Sequence, residues 1–185
     1  MKKYSQSDTM YHLQYCLRNK IEDCFYGIWE QSSVHYGNDK NFNSDKAYEL
    51  LLSQYKVRQS GGVIVAQPGD ICCIFLNDGQ SDFMTKLKMF LKEKLNQKGI
   101  TINMDNNDLL INNKKFLGDI REKRGSFYFY GCHISITVNL DMIQKICTKP
   151  MKKVPVGLSE YGINTQDVEN WLNEFWFTYK KIKTH

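Results

Sequence analysis

Helical periodicity marks both ends of this chain, while short apolar runs bounded by turn residues fill its middle, and that order limits the folds open to it. Met10, Leu13, Leu17 and Ile21 are spaced for one buried face of a first helix, opened by Ser7 and reaching about Lys20. Phe25–Trp29 and Val34–Tyr36 read as strands, and Ser44 or Asp45 opens a second helix through Leu52. Strand runs then alternate with turns: Tyr55–Arg58, the Ser60-Gly61-Gly62 loop, Val63–Ala66, the Gln67-Pro68-Gly69-Asp70 turn and Ile71–Leu76. The clearest helix, 81–98, carries Phe83, Leu87, Phe90, Leu91 and Leu95 on one side, with Gly99 as its stop. Ile100–Met104 reads as a strand, Leu109–Gly118 as a hairpin about Asn112-Asn113, and Phe127–Val138 as the longest strand. A short helix after Asp141 and a final helix over 165–181, burying Val168, Trp171, Leu172, Phe175, Tyr179 and Ile182, complete the pattern. Helices at both ends with strands between predict an α+β fold: a single domain over 1–185, with a mixed, mostly antiparallel sheet and flanking helices.

The 185 residues, 42% of them hydrophobic, suffice for one substantial core. No apolar run is long enough to cross a bilayer, and Tyr4-Ser5-Gln6-Ser7-Asp8 is polar where a signal peptide needs an apolar stretch, so a cytoplasmic protein is expected. Six cysteines form no Cys-x-x-Cys pair, which gives a structural metal no support and makes reduced thiols the simpler reading. The net charge of +5 comes mainly from lysines, and Lys86, Lys88, Lys92, Lys94 and Lys98 read as a solvated helix face. With only four arginines, no nucleic-acid partner is expected. The generic phosphate-loop, dinucleotide, zinc-protease and serine-elbow motifs are all missing. Cys132 and His133 adjoin on a strand, point to opposite faces and so cannot act as a nucleophile–base pair.

Three local features in order carry more. Arg58-Gln59-Ser60-Gly61-Gly62 with Pro68-Gly69-Asp70, then Asn107-Asp108-Leu109, then Lys115-Phe116-Leu117-Gly118, resemble the lipoate-protein ligase and octanoyltransferase branch of the biotin/lipoate protein ligase superfamily. Arg124-Gly125, Tyr130-Gly131, Ile28-Trp29-Glu30, Val138–Asp141 and Lys153–Ser159 extend the likeness over nearly the whole chain. The resemblance implies a fold like that of class II aminoacyl-tRNA synthetases and biotin-protein ligases. It implies a reaction in which lipoate or octanoate attacks the α-phosphate of ATP, and a lysine of a lipoyl carrier domain or H-protein-like acceptor then takes the acyl group from the adenylate. In that reading Lys115 is catalytic, offering its charge to the acyl oxygen and the phosphate together. Arg58, Ser60, Gly61, Gly62 and Gly118 bind substrate, and Asn107 and Asp108 supply oxygens to Mg²⁺ and phosphates.

Each residue also has a plainer reading: Lys115 as a solvated hairpin lysine, Asn107-Asp108 as an Asx turn, Gly61-Gly62 as an ordinary loop. Val63 stands where the family commonly has a third glycine, and Gln67 where it often has histidine. The chain ends at His185 without the C-terminal domain that bacterial ligases commonly carry, so a separate accessory domain is a candidate partner. An ATP-independent branch keeps Cys147 as alternative nucleophile, accepting octanoyl from acyl carrier protein, although its Thr148-Lys149-Pro150 setting departs from that family's pattern and a buried structural Cys also suits it. A third reading is a non-catalytic module that keeps the groove and binds a ligand or partner.

Overall fold

The computed structural model describes residues 1–37, 41–56, 63–106 and 108–183, with side chains as far as Lys180. A large sheet runs β1-β2-β6-β10-β9-β8-β7, built from β1 (Lys2–Tyr4), β2 (Asp23–Ile28), β6 (Ile71–Asp78), β10 (Phe127–Ile134), β9 (Lys114–Arg124), β8 (Asp108–Ile111) and β7 (Asn103–Asp105). Only β1 and β2 pair in parallel within it. A small sheet, ordered β4-β3-β5, joins β4 (Ser53–Lys56), β3 (Ser33–Tyr36) and β5 (Ile64–Ala66). The helices are α1 (Gln6–Asn19), α2 (Ser44–Glu49), α3 (Phe83–Gln97), α4 (Leu140–Ile146) and α5 (Thr165–Lys183). The predicted α+β class is observed. No helix among the described residues is long and apolar enough to cross a membrane.

Each face of the large sheet has its own core. Leu87, Leu91 and Leu95 of α3 and Leu172 and Phe175 of α5 pack with Phe75, Leu117, Tyr130 and Ile134 on one face. Phe75 and Phe83 stack there with centroids 4.3 Å apart, and Phe175 meets Phe83 edge-on. On the other face Met10, Leu13 and Cys16 of α1 cover Phe25, Ile74, Leu76 and Phe129. Each fully buried side chain of this size contributes about 1.5–3 kcal/mol. The small sheet shares a third core with α2 and α4 through Val34, Phe42, Ala47, Val65, Ile143 and Ile146.

Several boundaries differ from the sequence expectation for identifiable reasons. The first helix opens at Ser5, whose Oγ accepts the Asp8 N–H at 3.2 Å, not at Ser7. It stops at Lys20, which is left-handed (φ 52°), so Ile21 leaves the buried face and is exposed. The second helix ends at Glu49, because Leu51 is also left-handed (φ 54°). The strand expected over Ile100–Met104 is confined to β7, at 103–105. Lys88 is not part of a solvated face: it lies on the Met84–Leu91–Leu95 stripe, is 2% exposed and meets the fully buried Asp119 at 2.8 Å.

The expected long strand over 127–138 ends at Ile134 because the backbone beyond it is captured by Asp70. Its Oδ1 accepts the N–H groups of Ile136 (2.6 Å) and Thr137 (3.3 Å), and Oδ2 accepts that of Gln67 (2.8 Å). His133 Nε2 lies 3.1 Å from the same Oδ2. The Asp70 backbone carbonyl accepts from Trp29 N–H at 2.9 Å, and Trp29 O accepts from Gly69 N–H at 2.7 Å. Backbone groups of the turn thus tie it to the end of β2, and the Asp70 carboxylate ties it to the chain leaving β10. Asp70→Ala is expected to lower the unfolding free energy by about 3–5 kcal/mol, because buried donors lose their partner. Asp70→Asn should cost less; urea unfolding of both variants checks the order.

Candidate functional site

Asn112 and Asn113 both have positive φ (49° and 63°), the backbone of a tight two-residue hairpin turn, and they set β9 against β8. The register then slips: Leu110 faces Lys115 but Leu109 faces Leu117, which leaves Phe116 as an extra residue. Strict alternation would put Lys115 and Gly118 on opposite faces. The bulge reverses the phase, so Phe116 and Leu117 both enter the α3/α5 core while Lys115 folds over Gly118 on the other face. A Cβ on Gly118 would lie 2.5 Å from both Cε and Nζ of Lys115, so the glycine is what leaves room for the lysine.

Asp108 is the direct cross-strand partner of Gly118, and its Oδ1 receives the Lys115 ammonium at 2.8 Å. Its Oδ2 receives Lys153 Nζ, also at 2.8 Å, and the same ammonium reaches Asp105 Oδ2 at 2.6 Å. Lys153 comes from a distant segment that runs parallel to the start of β9: Lys115 N–H donates to Val154 O at 2.8 Å and Val156 N–H to Lys115 O at 2.9 Å. Gly157 lets that segment pass under β10's exit, since a Cβ there would lie 2.5 Å from Ile136 O. Burial pushes the Asp108 carboxyl up, but hydrogen bonds and charge from Lys115 and Lys153 outweigh it and hold the group below its ordinary value. Lys153 is pushed up, first by Asp105 and then by Asp108.

The cluster sits at one end of a row across the sheet. Asp108 pairs with Gly118, Gly118 with His133, His133 with Cys72 and Cys72 with Gly27, so these five residues share the face away from α3 and α5. Thr9 of α1 presses on Gly27 at one end and Lys115 lies over Gly118 at the other. Between them His133 is held by Asp70. Two glycines keep this row low, and a partly exposed ammonium stands beside it: Lys115 keeps 40% of its side-chain surface in solvent. The arrangement offers a movable positive charge over a shallow floor, with two carboxylates close by.

Sequence reasoning placed Lys115, Gly118 and Asp108 as candidates, and the three meet. Asn107 and the Arg58, Ser60, Gly61 and Gly62 loop lie outside the described residues. Val63, the first residue after that loop, packs against the small-sheet core, as does Met151. Met151 is two residues from Lys153, so that core comes within about 7 Å of chain of the Asp108 cluster. Lys153 was not singled out as a site residue; no local signal in Lys152-Lys153-Val154 shows that it will meet an Asp 45 positions earlier. Cys147 directly follows α4, half-buried beside the small-sheet core, and burial pushes its thiol up.

No family model and no curated protein matches the sequence. Solved structures do resemble it. P. falciparum LipL1, in complex with lipoate, superposes with a TM-score of 0.78 at 16% identity, over 98% of this chain and 62% of that one. The chain therefore spans less than two thirds of LipL1. A bipartite lipoate protein ligase from Thermoplasma acidophilum, described with its E2 lipoyl domain, gives 0.72 at 13% identity, over 95% of this chain and 81% of its own. Lipoate-protein ligase A bound with ATP gives 0.73 at 13% identity, over 95% and 82%. The fold is the one these lipoate-protein ligase structures share.

The carboxyl of Asp108 contributes stability above its ordinary titration range and loses that contribution as pH falls through its depressed folded-state value. Carboxyl-detected NMR should place its midpoint below about 3.9. Gly118→Ala should move the midpoint up toward that value by displacing Lys115, while changing global stability by no more than about 1 kcal/mol.

Proposed function

We propose that this chain is a lipoate-protein ligase-like acyl-transfer catalyst that activates lipoate or octanoate with ATP and passes the acyl group to a lysine of a lipoyl carrier domain or H-protein-like acceptor. The observation that carries this reading is the Lys115 ammonium, partly in solvent and held by Asp108 over Gly118. The likeness in fold to a lipoate-bound and an ATP-bound structure supports it.

In the first step a carboxylate oxygen forms a bond to the α-phosphorus of ATP and pyrophosphate leaves. Negative charge grows on the phosphoryl oxygens, and the Lys115 ammonium swings from Asp108 to meet it. In the second step the acceptor amine attacks the acyl carbonyl, AMP leaves and the amine gives up a proton. The same ammonium then faces the carbonyl oxygen as charge develops there. Gly118, without a Cβ, lets Lys115 move between these positions. Arg58 is assigned to the phosphates and the Ser60-Gly61-Gly62 backbone to the acyl chain. Asp105 and Asp108 already share one cation, the Lys153 ammonium, at 2.6 and 2.8 Å, so their oxygens suit Mg²⁺. With Asn107 they would hold that ion, which supplies charge neutralisation to the phosphates. A separate accessory domain is the further partner, in keeping with the two-part Thermoplasma ligase.

The Cys147 thioester route is the weaker reading, since burial raises that thiol where an activated nucleophile needs it lowered. The test is pyrophosphate release from Mg·ATP with lipoate or octanoate, together with the intact mass of an added lipoyl carrier domain. Wild type should modify one acceptor lysine, and Lys115→Ala should reduce the rate by roughly 10²–10³ while Cys147→Ser leaves it unchanged. Equal rates for wild type and Lys115→Ala would remove Lys115 from the reaction. Acyl adenylate formation by neither acid would leave a binding module.

A further inference from the structure

On the opposite edge of the molecule from the Lys115 hairpin, α1 and the start of β2 bring together three side chains that the proposed acyl transfer does not use. His12 and Cys16 are four residues apart on α1 and therefore lie on one helical face. Asp23 opens β2 directly beneath them. Asp23 Oδ2 lies 2.8 Å from His12 Nε2, Cys16 Sγ lies 3.4 Å from the same nitrogen, and all three atoms fall within 4.8 Å of one another.

We propose that His12 Nε2, Cys16 Sγ and Asp23 Oδ2 form a binding site for a divalent transition ion of the zinc class. The donor set, one imidazole, one thiolate and one carboxylate, is what Zn²⁺ takes with a water in the fourth position. Zn²⁺–ligand bonds of about 2.0–2.3 Å put tetrahedral ligand atoms roughly 3.3–3.7 Å apart. The Cys16–His12 separation already matches, and the His12–Asp23 separation opens by about half an ångström.

The supporting contacts are those of an oriented ligand set. Asp23 Oδ1 is fixed by the Cys24 backbone N–H at 2.8 Å, which turns Oδ2 toward His12. Tyr4 and Phe25 flank the imidazole at centroid distances of 4.7 and 4.8 Å. His12 and Asp23 keep 22% and 15% of their side-chain surface open to solvent, which provides an entry, while Cys16 closes the floor. A hydrolytic Cys–His–Asp relay is a different geometry, because it needs thiol and carboxylate on opposite ring nitrogens, whereas here both meet Nε2. What favours chelation is that the three donor atoms gather in one small volume, all within 4.8 Å of one another.

Lys2, 65% exposed and 3.2 Å from Asp23 Oδ2, occupies the mouth as the counter-ion when no metal is bound. On binding, the Cys16 thiol gives its proton to solvent, His12 carries its ring proton on Nδ1, and the Lys2 ammonium swings out. The ion then pins the last turn of α1 to β2.

The full-length chain, stripped with a chelator, is titrated with Co²⁺ and then Zn²⁺. One Co²⁺ per chain is expected, with a thiolate-to-cobalt charge-transfer band, visible bands of tetrahedral intensity and release of close to one proton per ion at mildly alkaline pH. Zn²⁺ should displace Co²⁺ and raise the melting temperature. Cys16→Ala should abolish the charge-transfer band, and the shape-preserving His12→Gln and Asp23→Asn should each weaken binding at least tenfold and remove the thermal shift. The charge-transfer band, which requires a thiolate ligand, separates this site from the Asp105–Asp108 pair, which has only oxygen donors. No charge-transfer band in wild type, or a band of full intensity in Cys16→Ala, would overturn the assignment. So would undiminished affinity in both His12→Gln and Asp23→Asn.

Discussion

The Asp70 carboxylate is where the parts of this fold are joined. Its turn links the small sheet to the large one, its oxygens take up backbone donors on both sides of that junction, and its own carbonyl caps the exit of β2. The donors on Gln67 and Ile136 are buried and have left the sheet ladders, so without the carboxylate they would be desolvated and unpaired. The chain leaving β10 is thereby steered across the sheet, and the segment that follows carries Lys153 to Asp108. A residue remote from the lysine cluster therefore fixes the backbone from which the Lys153 segment departs.

Locally the cluster depends on one irregularity. A regular β9 would send Lys115 into the α3/α5 core or turn Gly118 away from it. The extra residue at Phe116 satisfies both demands, giving the core two successive large side chains and presenting the lysine on the other face. Asp108 then pairs with the ammonium while leaving it partly in solvent, which suits a group that must move to a developing negative charge. At the far edge one turn of α1 sets His12 and Cys16 on one helical face beside Asp23.

Much of the architecture was legible because amphipathic spacing is a local property. α3 and α5 followed from their apolar stripes, and the β8–β9 hairpin from its paired asparagines. Errors fell where a long-range contact or a single dihedral decided. Ser5 and Ser7 are equally good caps in sequence, and only the first-turn geometry selects Ser5. Ile21 keeps the helical period but falls beyond a left-handed Lys20. Lys88 reads as solvent-facing until Asp119, on a strand 31 positions away, makes its burial tolerable. Lys115, Gly118 and Asp108 were recognisable by their order and resemblance, whereas Lys153 opened a resembling segment with nothing local to tie it to Asp108.

By itself the sequence determined the helices at either end, the strands between them, the Pro-Gly-Asp turn and the identity of the lysine and glycine in the hairpin. These rest on periodicity, turn chemistry and short spacings, which neighbouring residues specify among themselves. Only the tertiary structure decided that a bulge brings Lys115 over Gly118, that Lys153 closes on Asp105 and Asp108, and that His12, Cys16 and Asp23 converge on one nitrogen. Each of those meetings depends on sheet register or on the path of a distant segment, and both are set by how the whole core packs.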